Sequence, residues 1–204
     1  NCATGAACVV GDTGPGGGLV YYVNNAGFTC GPTLTATCNY LEVAPSGWNT
    51  GADPIKLWAV VAHKASDIAT IENHLSAYNN ASGIGLGYKN SLAIVGQGND
   101  TTTAAGAARA HDGGSQSDWY LPTTAELNLL CQWARNVAQS VITRCTGGTL
   151  NTGTGASGSF STGGYWSSSE LVGTRGWYQL FNNGVQDANL KYITYYVRPV
   201  RAFG

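Results

Sequence analysis

The chain has 204 residues, enough for one domain with a substantial core, since a domain of this size buries roughly 70% of its unfolded surface. Charged residues make up only 10% and the net charge is -1, so there is no global basic field to hold nucleic acid, and no apolar run reaches the ~20 residues of a membrane span. Gly, Thr, Asn and Ser fill 80 positions while 6 Trp, 11 Tyr and 4 Phe supply a core, a balance that excludes disorder and predicts a polar surface with few charges.

Residues 1–10 read as a small-residue extension carrying Cys2 and Cys8, followed by a single domain over 11–204. Gly11 to Gly18 contains two collagen-like triplets, too few for a triple helix, and reads as a glycine turn feeding a strand at Leu19–Val23. A loop-rich stretch over 24–56 holds Pro32, Pro45 and Pro54 and a short strand at Tyr40–Val43. Leu57 to Tyr78 is apolar without a clean period and is read as helical in part.

Gly83–Gly87 lacks the spacing of a phosphate-binding loop and reads as a turn entering a helix at Asn90–Gln97. Thr101–Ala110 is a second, alanine-rich helix. The third starts at the Thr123/Glu126 capping box and carries Leu127, Leu130, Cys131 and Ala134 on one face up to about Ala138. In residues 146–164, 15 of 19 positions are Gly, Ser or Thr, the composition of a mobile surface loop.

The last forty residues turn aromatic. Asn183-Gly184 predicts a hairpin joining Trp177–Asn182 to Val185–Asn189, and Tyr195–Phe203 is a final strand that Pro199 confines to an edge or a bulge. The order of elements predicts an α+β fold, an antiparallel sheet with a few helices to one side.

Six cysteines, at 2, 8, 30, 38, 131 and 145, form no Cys-x-x-Cys pair and have no histidine at zinc-finger spacing. An even count in such a chain fits disulfides in an oxidising, extracellular compartment. Several pairings are open, of which Cys2–Cys8, Cys30–Cys38 and Cys131–Cys145 is the simplest because each loop is short. The absence of Met even at position 1 reads as a chain from which an upstream segment is missing.

Four ordered blocks carry a family likeness: Gly11–Tyr22, Ser117–Asn128 with its Asp-Trp-Tyr-Leu-Pro-Thr core, Tyr165–Glu170, and Val197–Phe203. Together they resemble the Lcl C-terminal domain family, named for a Legionella collagen-like surface adhesin. The resemblance implies a C-type-lectin-like fold, with N- and C-terminal strands adjacent and long irregular loops forming the ligand surface. It also implies adhesion, and for the best-known member binding of sulfated glycosaminoglycans and assembly into trimers. This chain departs from that picture in having no collagen tract and no net positive charge, although residues 171–204 hold Arg175, Lys191, Arg198 and Arg201 against Asp187 alone. The blocks also read as fold signature, with Trp119 and Leu121 in the core and the terminal arginines holding loop carbonyls or carboxylates.

A sugar site needs aromatic faces beside in-plane amide and carboxylate groups. Trp166, Glu170, Arg175, Trp177, Tyr178, Asn182, Asn183, Gln186, Asp187 and Lys191 cluster in sequence around the hairpin and are the candidate ligand-binding residues. No catalytic residue is assigned: there is no nucleophile elbow, no His-Glu-x-x-His helix, and His63, His74 and His111 lack recognisable partners. No cofactor is expected. Asp100, Asp112 and Asp118 are scattered singly, so calcium bound through loop carbonyls is conceivable but not indicated. The chain therefore reads as a non-enzymatic, secreted, adhesin-type domain that binds a glycan or another cell-surface ligand. The alternative is a self-assembling subunit of a surface structure, with a trimer implied by resemblance only.

Overall fold

A computed structural model describes Cys2 and residues 5–71, 81–153 and 159–204. Its strands, in chain order, are β1 (Leu19–Cys30), β2 (Ala36–Val43), β3 (Ile55–Leu57), β4 (Gly164–Val172), β5 (Arg175–Leu180), β6 (Gln186–Leu190), β7 (Thr194–Tyr196) and β8 (Val200–Phe203). The helices are α1 (Gly87–Gly96), α2 (Ala104–Arg109) and α3 (Thr124–Ala134). The class is mixed α+β, and the strands form two sheets of order β1-β2-β8 and β3-β7-β4-β5-β6. All pairings are antiparallel except β4 with β7. The first and last strands share the small sheet, yet β2 lies between them, so they are not direct neighbours.

The helices do not lie to one side. Successive residues of a strand point to opposite faces, and on β4 they enter two different cores. Tyr165 joins Phe181, Val43 and the α3 residues Leu127 and Leu130, whereas Trp166 joins Trp58, Ile94 of α1 and the alanines of α2. The five-stranded sheet is thus covered by α3 on one face and by α1 and α2 on the other. Trp119 and Leu121, both almost fully buried, sit before α3 as the sequence predicts.

The predicted final strand is in fact two. The chain runs through β7 in the large sheet, crosses at Val197-Arg198-Pro199 and enters β8 in the small one. Pro199 thus falls between strands, where its missing N–H breaks no ladder and its carbonyl accepts from Ala44 N–H at 3.0 Å. The hairpin is present with a longer turn. Leu180 N–H donates to Val185 O at 2.8 Å, leaving four residues in the loop, and Gly184 at φ 70° donates to Leu180 O. A Cβ on Gly184 would lie 1.4 Å from Cys145 O, so no other residue fits there.

Residues 58–71 form turns rather than a helix, and 72–78 lie outside the described residues. Two buried side chains hold these turns: Lys191 Nζ donates to Ser66 O, and Ile68 N–H donates to Glu170 Oε2. The Gly/Ser/Thr segment is anchored where it is described, with Asn151 N–H bonded to Ala134 O and Phe160 in the core. The disulfides are Cys2–Cys8, Cys30–Cys38 and Cys131–Cys145, the short-range set. The first packs with Val20 against Tyr40 and Phe203, seating the N-terminal extension on the small sheet.

The capping box on α3 is complete, but α3 is buried nearly all round rather than on one face. Its polar flank is satisfied inside the protein. Asn128 and Gln132 bond to the 140–145 loop, and Asn128 also accepts from Gln179. The cap residue Glu126 is fully buried and forms no ion pair among the described residues; it accepts from Gly85 N–H, Tyr120 O–H and Thr123 N–H at 2.8 to 2.9 Å. Burial pushes its carboxyl up to about 7. The unfolded carboxyl ionises near 4.5, so the folded state binds the proton more tightly, and this contribution is complete below pH 4.5 and lost as pH rises through about 7. We expect the stability difference between the native chain and Glu126→Gln, followed by urea unfolding, to shift by about 3 kcal/mol against the native chain over that window. An unchanged difference across the window would contradict the burial argument.

Candidate functional site

The structure divides the ten hairpin-region candidates. Trp166, Glu170 and Lys191 are buried. Trp166 is roofed by Tyr178 and Tyr195 and donates its indole N–H to Lys56 O, while Glu170 and Lys191 pair with each other, with Trp58 against the Lys191 amine. Gln186 is half-buried and gives its amide to Thr124 O and Gln179 Oε1. Arg175, Asn182, Asn183 and Asp187 are exposed, and Trp177 and Tyr178 are half-buried.

The local basic excess also dissolves. Lys191 is paired with Glu170, Arg198 with Asp53, and Arg201 with Glu42, all three out of water, and Arg201 also reaches the part-exposed Asp118. Of the four cations only Arg175 is exposed, too little to hold a polyanion by counterion release.

What remains on the large sheet is an aromatic and hydroxyl surface. Tyr178 and Tyr195 stack with ring centroids 4.3 Å apart and planes 20° from parallel. Gly164 beneath them has no Cβ, and one there would meet Tyr195 at 2.7 Å and Tyr178 at 3.1 Å. Asn189 Nδ2 donates to the Tyr195 hydroxyl at 2.9 Å, and Asp187 pairs across the strands with Tyr178. Burial, together with its bond to Tyr195, pushes the Tyr178 hydroxyl up to about 12, so it stays a neutral donor.

A second feature, absent from the sequence reading, is a polar cleft of about 260 Å³. It is lined by Trp48, Asn49, Lys56 and Thr101, by Ala107 of α2, and by Ala110, His111 and Asp112 just after that helix. The indole is fixed from below, because Trp48 Nε1–H donates to buried Asp53 at 2.9 Å. Asp53 in turn accepts from Arg198 at 2.6 Å and from the Tyr165 hydroxyl at 2.7 Å. The His111 ring lies edge-on to Trp48 at 5.4 Å and tilts against Trp119 at 4.8 Å. Burial lowers its pKa, leaving it uncharged at neutral pH. Lys56 Nζ donates to Thr101 O at 3.1 Å. With one cation and one carboxylate on its rim, the cleft is a neutral, hydrogen-bonding recess with an aromatic wall. The sequence did hold a signal for it: Trp48 lies in the Pro45-Ser-Gly-Trp-Asn-Thr-Gly51 turn segment, where a large aromatic has no strand or helix to pack in.

Metal chemistry finds no cluster here: among the described residues no three His, Cys, Asp or Glu side chains converge. Asp118 is bound to Arg201, and Asp100 accepts from the Thr102 N–H and hydroxyl. His63 and His111 lie in separate surroundings, and His74 is outside the described residues.

Residues 48–201 match the family described as the Lcl C-terminal domain. The chain belongs to that family. Three of the four blocks fall wholly or largely inside this Lcl C-terminal domain match, and the first, Gly11–Tyr22, precedes it yet packs against its Trp119. No curated protein matches the chain. Among solved structures, a fimbrial protein from Bacteroides ovatus is similar with a TM-score of 0.48 and 14% identity, covering 91% of this chain and 44% of that one. The chain thus spans less than half the length of that protein.

Since Asp53 holds both Arg198 and Trp48, Asp53→Ala strands a buried guanidinium. We expect it to lose about 3–5 kcal/mol in urea unfolding, and the double replacement Asp53→Leu with Arg198→Met to recover most of that. A single variant within 1 kcal/mol of native, on the order of surface substitutions, would remove Asp53 from this role.

Proposed function

We propose that this domain is a non-enzymatic, extracellular binding module of adhesin type, and that it recognises a neutral glycan. The observation that carries the reading is the Trp48 cleft, where a rigidly held indole stands beside Asn49, Thr101, Lys56 and Asp112. Sugar rings present an apolar face to an aromatic and hydroxyls to groups in the plane, and this recess offers both with balanced charge. Tyr178 and Asp187, cross-strand partners on one face of the large sheet, are further candidates for contact, as are the exposed hairpin residues Arg175, Asn182 and Asn183 and the half-buried Trp177.

Membership of the Lcl C-terminal domain family supports a surface-associated role, and three disulfides support an oxidising compartment. No described helix is long and apolar enough to cross a membrane. The C-type-lectin-like reading draws support from the small sheet that holds the first and last strands and from the long connections between them.

The test is a glycan array with the purified chain, repeated with EDTA and in raised salt. Binding to neutral glycans that survives both treatments is expected, and it falls by on the order of a hundredfold in Trp48→Ala, with Asn49→Ala as a milder variant that leaves the Asp53 anchor intact. Absence of binding under every condition would sink the reading, and binding abolished by salt would point back to sulfated polymers.

A further inference from the structure

The Trp48 cleft and the Tyr178–Tyr195 surface are joined by a shared residue. Lys56 lines the cleft and is also the cross-strand partner of Tyr195. Paired residues of neighbouring strands point to the same face, so the register continues the row: Trp166 pairs with Tyr178, and Tyr178 with Asp187. The strand order β3-β7-β4-β5-β6 places Lys56 at one edge of the sheet and Asp187 at the other. Four interstrand spacings of about 4.8 Å make that span roughly 19 Å.

Along this row the middle is closed, not empty. Trp166 is buried, and Tyr178 and Tyr195 meet each other above it, each with its ring steeply inclined to the indole. The outer surface of the row is therefore made of tyrosine edges and hydroxyls, with the Asn189 amide and the Asp187 carboxylate at the far end. The row thus offers aromatic carbon beside hydrogen-bonding groups along its length, with Lys56 at the cleft end and Asp187 at the other.

We infer that the cleft and the tyrosine surface are two stations of one elongated site, and that its ligand is a chain of neutral sugar units rather than a single sugar. The inference rests on the glycan reading above. A ligand confined to a cleft of about 260 Å³ leaves the tyrosine surface untouched, whereas a chain several rings long reaches from Trp48 past Lys56 to Asp187. Linking two weak stations through one ligand raises affinity without any new kind of contact, because the second encounter becomes intramolecular.

The experiment is calorimetric titration of the intact chain with malto-, cello- and chito-oligosaccharide series, each as monomer, dimer and hexamer, together with the polymer-free array result. In the series that binds, the hexamer is expected to bind on the order of tenfold or more tightly than the monomer. The double variant Tyr178→Phe with Tyr195→Phe keeps both rings over Trp166 and removes both hydroxyls, and Asp187→Ala removes an exposed carboxylate. Both are expected to bring the hexamer-to-monomer ratio down toward one, with thermal unfolding unchanged in Asp187→Ala as the check on folding. Equal affinity for monomer and hexamer, with array binding intact, overturns the elongated site and leaves the glycan reading standing. No binding to any neutral sugar on the array or in the titrations overturns both.

Discussion

The buried pair of Arg198 and Asp53 is the interaction on which the rest of this domain depends. Arg198 stands at the crossing between the two sheets, and its guanidinium also bonds to Ala44 O and Ser159 O at 3.2 Å and faces the Phe160 ring. Asp53 receives Arg198, the Tyr165 hydroxyl of the central strand β4, and the Trp48 indole of a loop. One carboxylate thereby ties the sheet crossing, the β4 core and the wall of the cleft together. Taking two charges out of water costs several kcal/mol each, and the attraction repays this only when the remaining donors and acceptors are also met. Here they are, which is why the hub constrains geometry so tightly.

The same logic explains the composition. The chain has ten basic and eleven acidic residues, and among the described ones four of each are buried: Arg135, Lys191, Arg198 and Arg201, with Glu42, Asp53, Glu126 and Glu170. Arg201 bridges Glu42 and Asp118, and Glu42 also accepts from Gly16 N–H. Burial disfavours the Arg201 charge, but the two carboxylates outweigh it and raise its pKa. A Cβ on Gly14 would lie 2.3 Å from Glu42 and one on Gly16 2.5 Å from the Trp119 ring, so these two glycines are there for close approach, whereas Gly11, with open space around it, supplies a positive φ of 98°. The Glu42 cluster thus joins three blocks of the family pattern: the glycine turn, the Asp118-Trp119 segment and the terminal strand. A large share of the scarce charges is placed inside to fix the fold, which leaves the surface thinly charged.

Local signals were legible in the sequence where one stretch of chain settles the outcome. The Thr123/Glu126 box fixes the start of α3, Asn183-Gly184 marks the hairpin, and three short cysteine loops close as the simplest pairing. The chain between Leu57 and Ile71 was misread because its turns are imposed from outside, by Lys191 and Glu170 over a hundred positions away. For the same reason Glu170 and Lys191 looked like ligand contacts. A charged residue near an aromatic hairpin has the same appearance in sequence whether it faces solvent or a partner on another strand. Trp166 is a parallel case, since the roof over it comes from Tyr195 on β7, its neighbour in the sheet but separated from it by two further strands along the chain. The Trp48 cleft was missed because its parts, at 48–49, 56, 101 and 107–112, meet only through the Asp53 hub and the bridge between Leu57 and Thr103.

The sheet edges bear on how such a domain meets other molecules. An open edge strand invites pairing with another chain. On β6 the N–H groups of Ala188 and Leu190, which face away from β5, are taken by the side chains of Asp187 and Asn189 at 2.7 and 2.8 Å. On β8, Val200 exchanges both backbone bonds with Tyr120 at 2.9 Å, and β3 meets Thr103. The start of β1 is closed by Gly11 and Asp12, bonded to Val20 at 2.8 Å. Both sheets thus have edges engaged by their own chain, which weighs against strand addition between copies. In the proposed reading, recognition then falls to what the buried charges hold in place: the loops, the aromatic edges and the uncharged groups of the outer surface.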